Sequence, residues 1–390
     1  MIAFVNVAFV NYGVLSGVTG QVTNHLAARG HRIDPIEVVG PVEHRDGKGR
    51  LRLSTDAAIN LGLAALRFGR SALHHRWNTG FAFDLHSRNA GRLLAAARTA
   101  PDVVLQAGAL FAPGDPPRFP YVLLLDNTRD LAMRRPAEPS ASLPAPLDYG
   151  PGWRMRERAV YLGAAAIGTY SERVKRSLVR DYGVRPERVE VVGAGANVFP
   201  EAPVREDDGE TLLFVGTRFD LKGGPVLVRA FRRIRRRRPK LRLLVVGPTE
   251  NLALPEGATH LGYLPAAELP ALFRKATVFV LPTLREAFGI AFLDAMACGV
   301  PCVGTSVEAV PEIVDDGETG LLVPPGDDVS LANAIERLLS NPRQARAIGM
   351  RGRRKAERCY RWSQVAERLE DLLERATAAP GRMSAAGPAA

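Results

Sequence analysis

Two rhythms of apolar residues alternate along this chain. Short continuous apolar runs, bounded by Gly, Pro or polar turns, are followed by stretches whose apolar residues return every three or four positions. Runs of the first kind read as strands buried on both faces, and stretches of the second kind as amphipathic helices covering them. In the carboxy-terminal half this predicts strands at 212–216, 241–247, 278–282 and 301–305, and helices at 226–238, 267–276, 329–339 and 362–376. The last two show the helical stripe plainly, with Val329, Ala332, Ile335 and Leu338 on one face and Val365, Leu369 and Leu372 on the other helix. In the amino-terminal half, strands are predicted at 2–9, 32–39, 102–108, 121–127, 165–170 and 188–193, with helices at 18–30 and 172–181. Strands alternating with helices give an α/β fold of parallel sheets. At 390 residues the chain exceeds one ordinary core, so two domains are expected. The expected division is 1–198 and 199–361, with a hinge around 194–208 and the helix 362–376 turning back towards the first domain. The Ala/Gly/Pro tail 377–390 lacks periodicity and is expected to be disordered.

The most informative stretch lies where one of these strands hands over to a helix. Glu286-Ala-Phe288-Gly289-Ile290-Ala-Phe-Leu-Asp294 puts an acid, a Phe-Gly pair and a second acid at such a junction. Unpaired N–H groups at a helix start face the positive end of the helix dipole and hold phosphate well. A second junction follows the run Leu212-Leu-Phe-Val-Gly216, where a polar turn leads to Lys222-Gly223-Gly224. Glycine lets backbone approach an anion closely, and the lysine adds a mobile point charge.

Together these stretches resemble the signature of family-four retaining glycosyltransferases, which use nucleotide sugars and have the GT-B fold of two Rossmann-like domains facing across a cleft. The likeness continues through Leu261-Gly262-Tyr263-Leu264, Gly299-Val-Pro301, Pro311-Glu312 and Gly317-Glu-Thr-Gly320, covering essentially all of 211–376, and is looser before that. It implies that Lys222 contacts the donor diphosphate, that Glu286 grips the sugar hydroxyls, and that Gly223, Phe288, Gly289 and Ile290 line the donor site. Tyr263 would touch the base and Asp294 the ribose. Gly13, Gly17 and Gly20 resemble the glycine loop that lies against the reacting sugar and the acceptor. Three positions depart from the pattern. Asp294 stands where the family usually has Glu, Thr217 where many members have Arg (Arg218 follows it), and Leu125 where a His precedes the acid that Asp126 matches. Glu286, Lys222 and Asp126 are the expected catalytic residues.

Composition adds mainly exclusions. With 46% hydrophobic and 24% charged residues the chain reads as globular, and no apolar run approaches the roughly 20 residues that span a bilayer. The start lacks a basic n-region, so a cytoplasmic protein is expected. Three cysteines and seven scattered histidines suggest neither a disulfide framework nor a metal site. No Asp-x-Asp element stands at a site, so no metal or other cofactor is expected beyond the nucleotide-sugar donor itself. The glycine spacing misses the dinucleotide fingerprint, which argues against a nicotinamide cofactor. The net charge of +11 concentrates between Arg232 and Lys240 and between Arg50 and Arg76. Little aromatic interleaving accompanies it, so nucleic acid is not an expected partner. A solvated helix face and an anionic membrane surface both suit these patches, and the apolar-basic segment 57–77 suits an acceptor site or a peripheral membrane contact. The sugar, the base and the acceptor are not legible. The rival functions are a nucleotide-sugar epimerase or phosphorylase on the same architecture and a non-catalytic sugar-nucleotide-binding protein.

Overall fold

A computed structural model describes residues 5–11, 17–38, 44–45, 51–52, 55–76, 78–134, 150–202, 205–249 and 252–378. Gly13, Trp77 and the tail beyond Ala378 lie outside the described residues. The chain divides into two compact units. One runs through Met133, resumes up to Val192 and takes up the chain again from Ala366; the other is Gly193–Val365.

The first unit is built on six parallel strands, β1 (Asn6–Asn11), β2 (Arg32–Glu37), β3 (Val103–Ala107), β4 (Tyr121–Leu125), β5 (Ala166–Thr169) and β6 (Val189–Val191), in the order β2-β1-β3-β4-β5-β6. Its main helices are α1 (Val18–Ala28), α2 (Thr55–Phe68), α3 (Gly80–Ala95), α4 (Pro151–Gly163) and α5 (Glu172–Tyr182). Strands β4 and β5 are buried along their whole length, β4 with an unbroken apolar sequence and β5 with Thr169 at its end, while edge strand β2 is largely exposed. Helix starts are fixed by side-chain caps: Thr79 accepts from the Ala82 amide for α3, and Ser171 from the Val174 amide for α5.

The second unit repeats the plan with β7 (Thr211–Val215), β8 (Arg242–Val246), β9 (Ala258–Gly262), β10 (Val278–Leu281), β11 (Cys302–Thr305) and β12 (Gly320–Val323), all parallel, in the order β9-β8-β7-β10-β11-β12. Strand β7 pairs with β10 through Val278 opposite Leu212 and Phe279 opposite Leu213. From β7 the chain winds outward to β8 and β9, then returns to β10 and winds the other way. The gap between β7 and β10 is therefore the topological switch point, where ligands of open α/β sheets bind outside the carboxyl ends of the strands. Helices α6 (Gly224–Arg235), α7 (Leu269–Lys275), α8 (Ile290–Ala297), α9 (Asp328–Ser340), α10 (Pro342–Cys359) and α11 (Trp362–Ala378) cover the sheet or follow it. Helix α11 passes into the first unit at Ala366, and there Glu370 bonds Arg29 and His31.

The arginine run has a definite environment. Arg229 and Arg233 pair with Asp328 at 3.0 and 3.3 Å, Arg237 with Glu336 at 3.5 Å, and Arg235 with Glu256 at 2.8 Å. Much of the positive face of α6 is thus answered by acids of α9 and the loop before β9, although each exposed pair contributes little alone.

Helices α3 and α10 do not announce themselves in the sequence, for related reasons. The buried face of α3 includes His86 and Ser87 among Phe83, Leu85 and Leu94. The buried face of α10 is a seam of small residues, Ala345, Gly349, Gly352 and Ala356, with Ile348 the one large apolar member. Its close approach is steric. A Cβ on Gly349 would lie 2.2 Å from the Gly299 carbonyl oxygen, which sits in the turn after α8. Gly62 in α2 has nothing within 4 Å of the same position. Gly349→Ala is therefore expected to lower stability by about 1–3 kcal/mol through overpacking. Gly62→Ala should raise it by about 0.5–1 kcal/mol through the lower entropy of the unfolded helix segment. Chemical denaturation of the two variants beside the parent checks the opposite signs.

Candidate active site

The loops after β7 and β10 meet backbone to backbone at the switch point. The Leu284 amide donates to the Leu221 carbonyl at 2.9 Å, and the Thr283 hydroxyl reaches the same carbonyl at 3.4 Å. Gly223, at φ 75°, caps α6 so closely against the other loop that a Cβ would fall 1.8 Å from the Pro282 carbonyl oxygen. Only glycine serves both the left-handed turn and this approach. The turn before it is closed by the Lys222 amide on the Arg218 carbonyl and the Gly224 amide on the Phe219 carbonyl.

This junction brings together the two residues the sequence singles out. Lys222 Nζ donates to Glu286 Oε2 at 2.5 Å across 64 positions of chain. Glu286 is only 7% exposed, whereas the lysine side chain stays partly open. The start of α8 lies beside them. Gly289, at φ 117°, caps that helix, and a Cβ there would meet Phe292 at 3.0 Å and Glu286 Cγ at 3.4 Å. Ile290 is the first helical residue, and the amides of the first turn have no partner within the helix. Phe288 is buried with its ring edge-on to Tyr360 at 6.5 Å. A cation, a buried carboxylate and a helix start thus share one place.

Glu308 holds this arrangement and was not singled out from sequence. Its backbone has φ 49°, in the left-handed region that non-glycine residues seldom adopt. One carboxylate oxygen accepts from Arg285 Nε at 3.0 Å and the other from the Glu286 amide. Sequence carried no local signal for this role, because it depends on a backbone conformation and on partners 22 or more positions away. Gly247 was missed as well. At φ 116° a Cβ there would sit 2.7 Å from the Gly216 carbonyl, so the backbones following β7 and β8 abut.

Other expected residues stand elsewhere. Arg218 is exposed in the turn before Lys222. Tyr263 is 65% exposed beyond the end of β9, two strands or about 10 Å from β7. Gly17 and Asp126 belong to the first unit: Gly17, at φ 77°, caps α1, and Asp126 is exposed directly after β4. Asp294 differs most from expectation. Its side chain turns inward, and Oδ1 accepts from the amides of Asn197 at 2.6 Å and Val198 at 2.9 Å. The open, ribose-facing carboxylate of the sequence reading is instead a buried anchor for the chain segment that enters this unit. Among the described residues no group of three or more His, Cys, Asp or Glu side chains converges to hold a metal ion, and no helix is long and apolar enough to cross a membrane.

Two doubly wound α/β units, the second with a Lys–Glu pair at its switch point, have the architecture of GT-B glycosyltransferases. Residues 197–355 match the family described as Glycosyl transferases group 1. MMP alpha-(1->4)-mannosyltransferase of Mycolicibacterium hassiacum is 34% identical over 222 residues, 54% of this chain and 54% of that protein. GDP-mannose-dependent alpha-(1-6)-phosphatidylinositol monomannoside mannosyltransferase of Mycolicibacterium smegmatis is 37% identical over 169 residues, 39% of this chain and 44% of that protein. In these alignments the chain spans about half the length or less of the curated relatives. Among solved structures, sucrose-phosphate synthase from Thermosynechococcus elongatus superposes with a TM-score of 0.72 at 21% identity, covering 96% of this chain and 100% of that one, a likeness of fold.

Asp294 yields a pH prediction. Burial raises its carboxyl from 3.8 to about 7, against the opposing pull of the Val198 and Asn197 amides. The folded state therefore keeps a proton that the unfolded chain releases near pH 4. The stability this contributes is full below about pH 4 and is lost as pH rises through about 7. Asn at this position keeps an acceptor oxygen for both amides and does not ionise. The stability of Asp294→Asn relative to the parent should thus climb between about pH 4 and 7, by no more than about 1.4 kcal/mol per pH unit. Denaturant titrations across that range read the difference, and a flat one would mean the carboxyl ionises normally.

Proposed function

We propose that this protein is a retaining glycosyltransferase that moves a sugar from a nucleoside-diphosphate sugar to an acceptor without needing a divalent metal ion. The observation that carries this reading is the Lys222–Glu286 pair beside the start of α8, at the switch point between β7 and β10. When the bond from the anomeric carbon to the diphosphate breaks, negative charge grows on the phosphate oxygens and positive charge on the sugar ring. Lys222 and the first-turn amides of α8 supply donors where the phosphate charge develops, which is where preorganised donors help most. Glu286 presents a carboxylate for the sugar hydroxyls. Its pairing with Lys222 in the ligand-free protein keeps both groups oriented, and a diphosphate would compete for the lysine. With that charge supplied by protein groups, a bridging metal has no necessary task. The GDP-mannose-dependent relative supports a nucleotide-sugar donor. In the first unit, Gly17 and Asp126 are proposed to serve the sugar and acceptor from the carboxyl ends of β1 and β4.

Ile59, Leu63 and Leu66 lie on one exposed face of α2, Leu66 at 87% exposure, and Arg67 and Arg70 adjoin them. We infer a peripheral contact with an anionic membrane at this face. Sedimentation with anionic but not zwitterionic vesicles, weakened in Leu66→Ser, is the expected result, and equal sedimentation of parent and variant would discard the contact.

Substitution tests the division of labour at the pair. Lys222→Ala should weaken binding of donor and of free nucleoside diphosphate and slow turnover by about two orders of magnitude or more. Glu286→Gln should slow turnover comparably while keeping or raising nucleoside-diphosphate affinity, because its partner in the complex is the sugar and the substitution frees Lys222 of a competing carboxylate. Equal loss of nucleotide binding in both folded variants would remove Glu286 from the sugar. Product NMR should show retained anomeric configuration and turnover should persist in chelator; inversion or chelator sensitivity would overturn the mechanism. Nucleotide binding without transfer or donor hydrolysis would leave a binding protein as the function, and formation of an epimer from donor alone would make it an epimerase.

A further inference from the structure

The amino-terminal unit contains a cavity of about 400 Å³, within the usual size range of small-molecule sites. Its walls come from α3 and the segment between β3 and β4. Arg88 and Arg92 stand one turn apart on the same face of α3, and Arg118 reaches in from the segment before β4. Asp56 and Asp115 also line it. None of the three guanidinium groups has an ion pair or hydrogen bond among the described residues. Other arginines of this unit are matched: Arg154 pairs with Asp130, Arg156 with Asp84 and Arg375 with Glu190. Asp56 and Asp115 offset two of the three positive charges formally, and neither forms an ion pair with Arg88, Arg92 or Arg118 among the described residues.

The position separates this cavity from the residues discussed above. Arg118 precedes β4 and Arg92 lies in the last turn of α3, so the cavity lies towards the amino ends of the strands. Asp126 and Gly17 follow the carboxyl ends of β4 and β1. A five-residue strand places the two ends of β4 about 17 Å apart. Three guanidinium groups against two carboxylates leave one net positive charge around the concavity, and an anion between the arginines relieves their mutual repulsion. The planar fork of arginine matches carboxylate and phosphate alike, but three forks around one cavity suit the three free oxygens of a phosphate better than the two of a carboxylate. Asp56 and Asp115 accept hydrogen bonds only, so they suit hydroxyl groups on the same ligand.

We propose that this cavity binds a phosphate-bearing, hydroxyl-rich ligand of small-molecule size, with Arg88, Arg92 and Arg118 on the phosphate. Such a phosphate belongs either to a soluble sugar or polyol phosphate or to an anionic lipid headgroup. The test uses the full chain carrying Lys222→Ala, which removes the other candidate phosphate site and makes the outcome independent of the donor-site reading. Titration with inorganic phosphate, at chloride-matched ionic strength, should raise the melting temperature of this protein. Adding Arg88→Gln with Arg92→Gln, or Arg118→Gln alone, should weaken the apparent affinity about tenfold or more, equivalent to about 1.4 kcal/mol. Circular dichroism should be unchanged, since all three side chains are exposed. Glucose 1-phosphate binding more tightly than inorganic phosphate, with no arginine-dependent recruitment to vesicles of phosphatidylcholine and phosphatidic acid, assigns the soluble source. Recruitment that is lost in the arginine variants assigns the headgroup. No phosphate response in Lys222→Ala, or one that both arginine variants leave intact, overturns the site.

Discussion

The backbone crossing at the switch point of the carboxy-terminal unit is the constraint on which the candidate site depends. Gly223 and Pro282 pass so closely that no side chain fits between them, and the Leu221–Leu284 hydrogen bond fixes their register. With that crossing in place, Lys222 and Glu286 project from adjacent points of two welded loops. Their pairing follows from backbone geometry, so the entropy left to oppose it is that of the two side chains and not of the loops that carry them. The buried strands β7 and β10 hold the crossing from below, and Glu308 braces it from the loop after β11. A strained backbone at Glu308 is tolerated because both its carboxylate oxygens are engaged.

What sequence could show tracks how local the cause is. Strands β4 and β10 are apolar along their whole length because both faces are covered, and such runs are visible at once. Lys222 and Glu286 were legible because each stands beside glycines at a strand-to-helix junction. Asp294 was legible as a residue of interest but not in its partners, which lie 96 and 97 positions away at Val198 and Asn197. Glu308 could not be found at all, since an ordinary glutamate in an ordinary loop differs only in its φ angle. Helices α3 and α10 were obscured because small or polar residues form their buried faces, so the apolar period that marks a helix is missing. Expected boundaries shifted by a few residues where turns and caps set them, as at α6, which starts at Gly224 behind the Gly223 cap rather than at Val226.

Asp294 and Glu286 show how one short stretch serves two purposes. They frame the start of the same helix, yet one carboxylate faces the site and the other faces the protein. Glu286 stands 2.5 Å from the Lys222 ammonium. Asp294 receives two amides but no cation, and burial dominates. The contrast comes from surroundings, since the two side chains differ by only one methylene.

The pairing of α6 with α9 carries a consequence for the chain in a crowded solution. A run of seven basic residues in nine would ordinarily make a protein sticky towards every polyanion it meets. Here acids of α9 and of the loop before β9 answer three of the seven, Arg233, Arg235 and Arg237, at short range, so a passing polyanion meets a patchwork in which the basic run is partly neutralised. Arginine-rich composition can then rise on this face with a smaller loss of colloidal selectivity than the formal charge suggests. The acids that make this tolerable, Asp328 and Glu336, would look like expendable surface residues to anyone judging them one at a time.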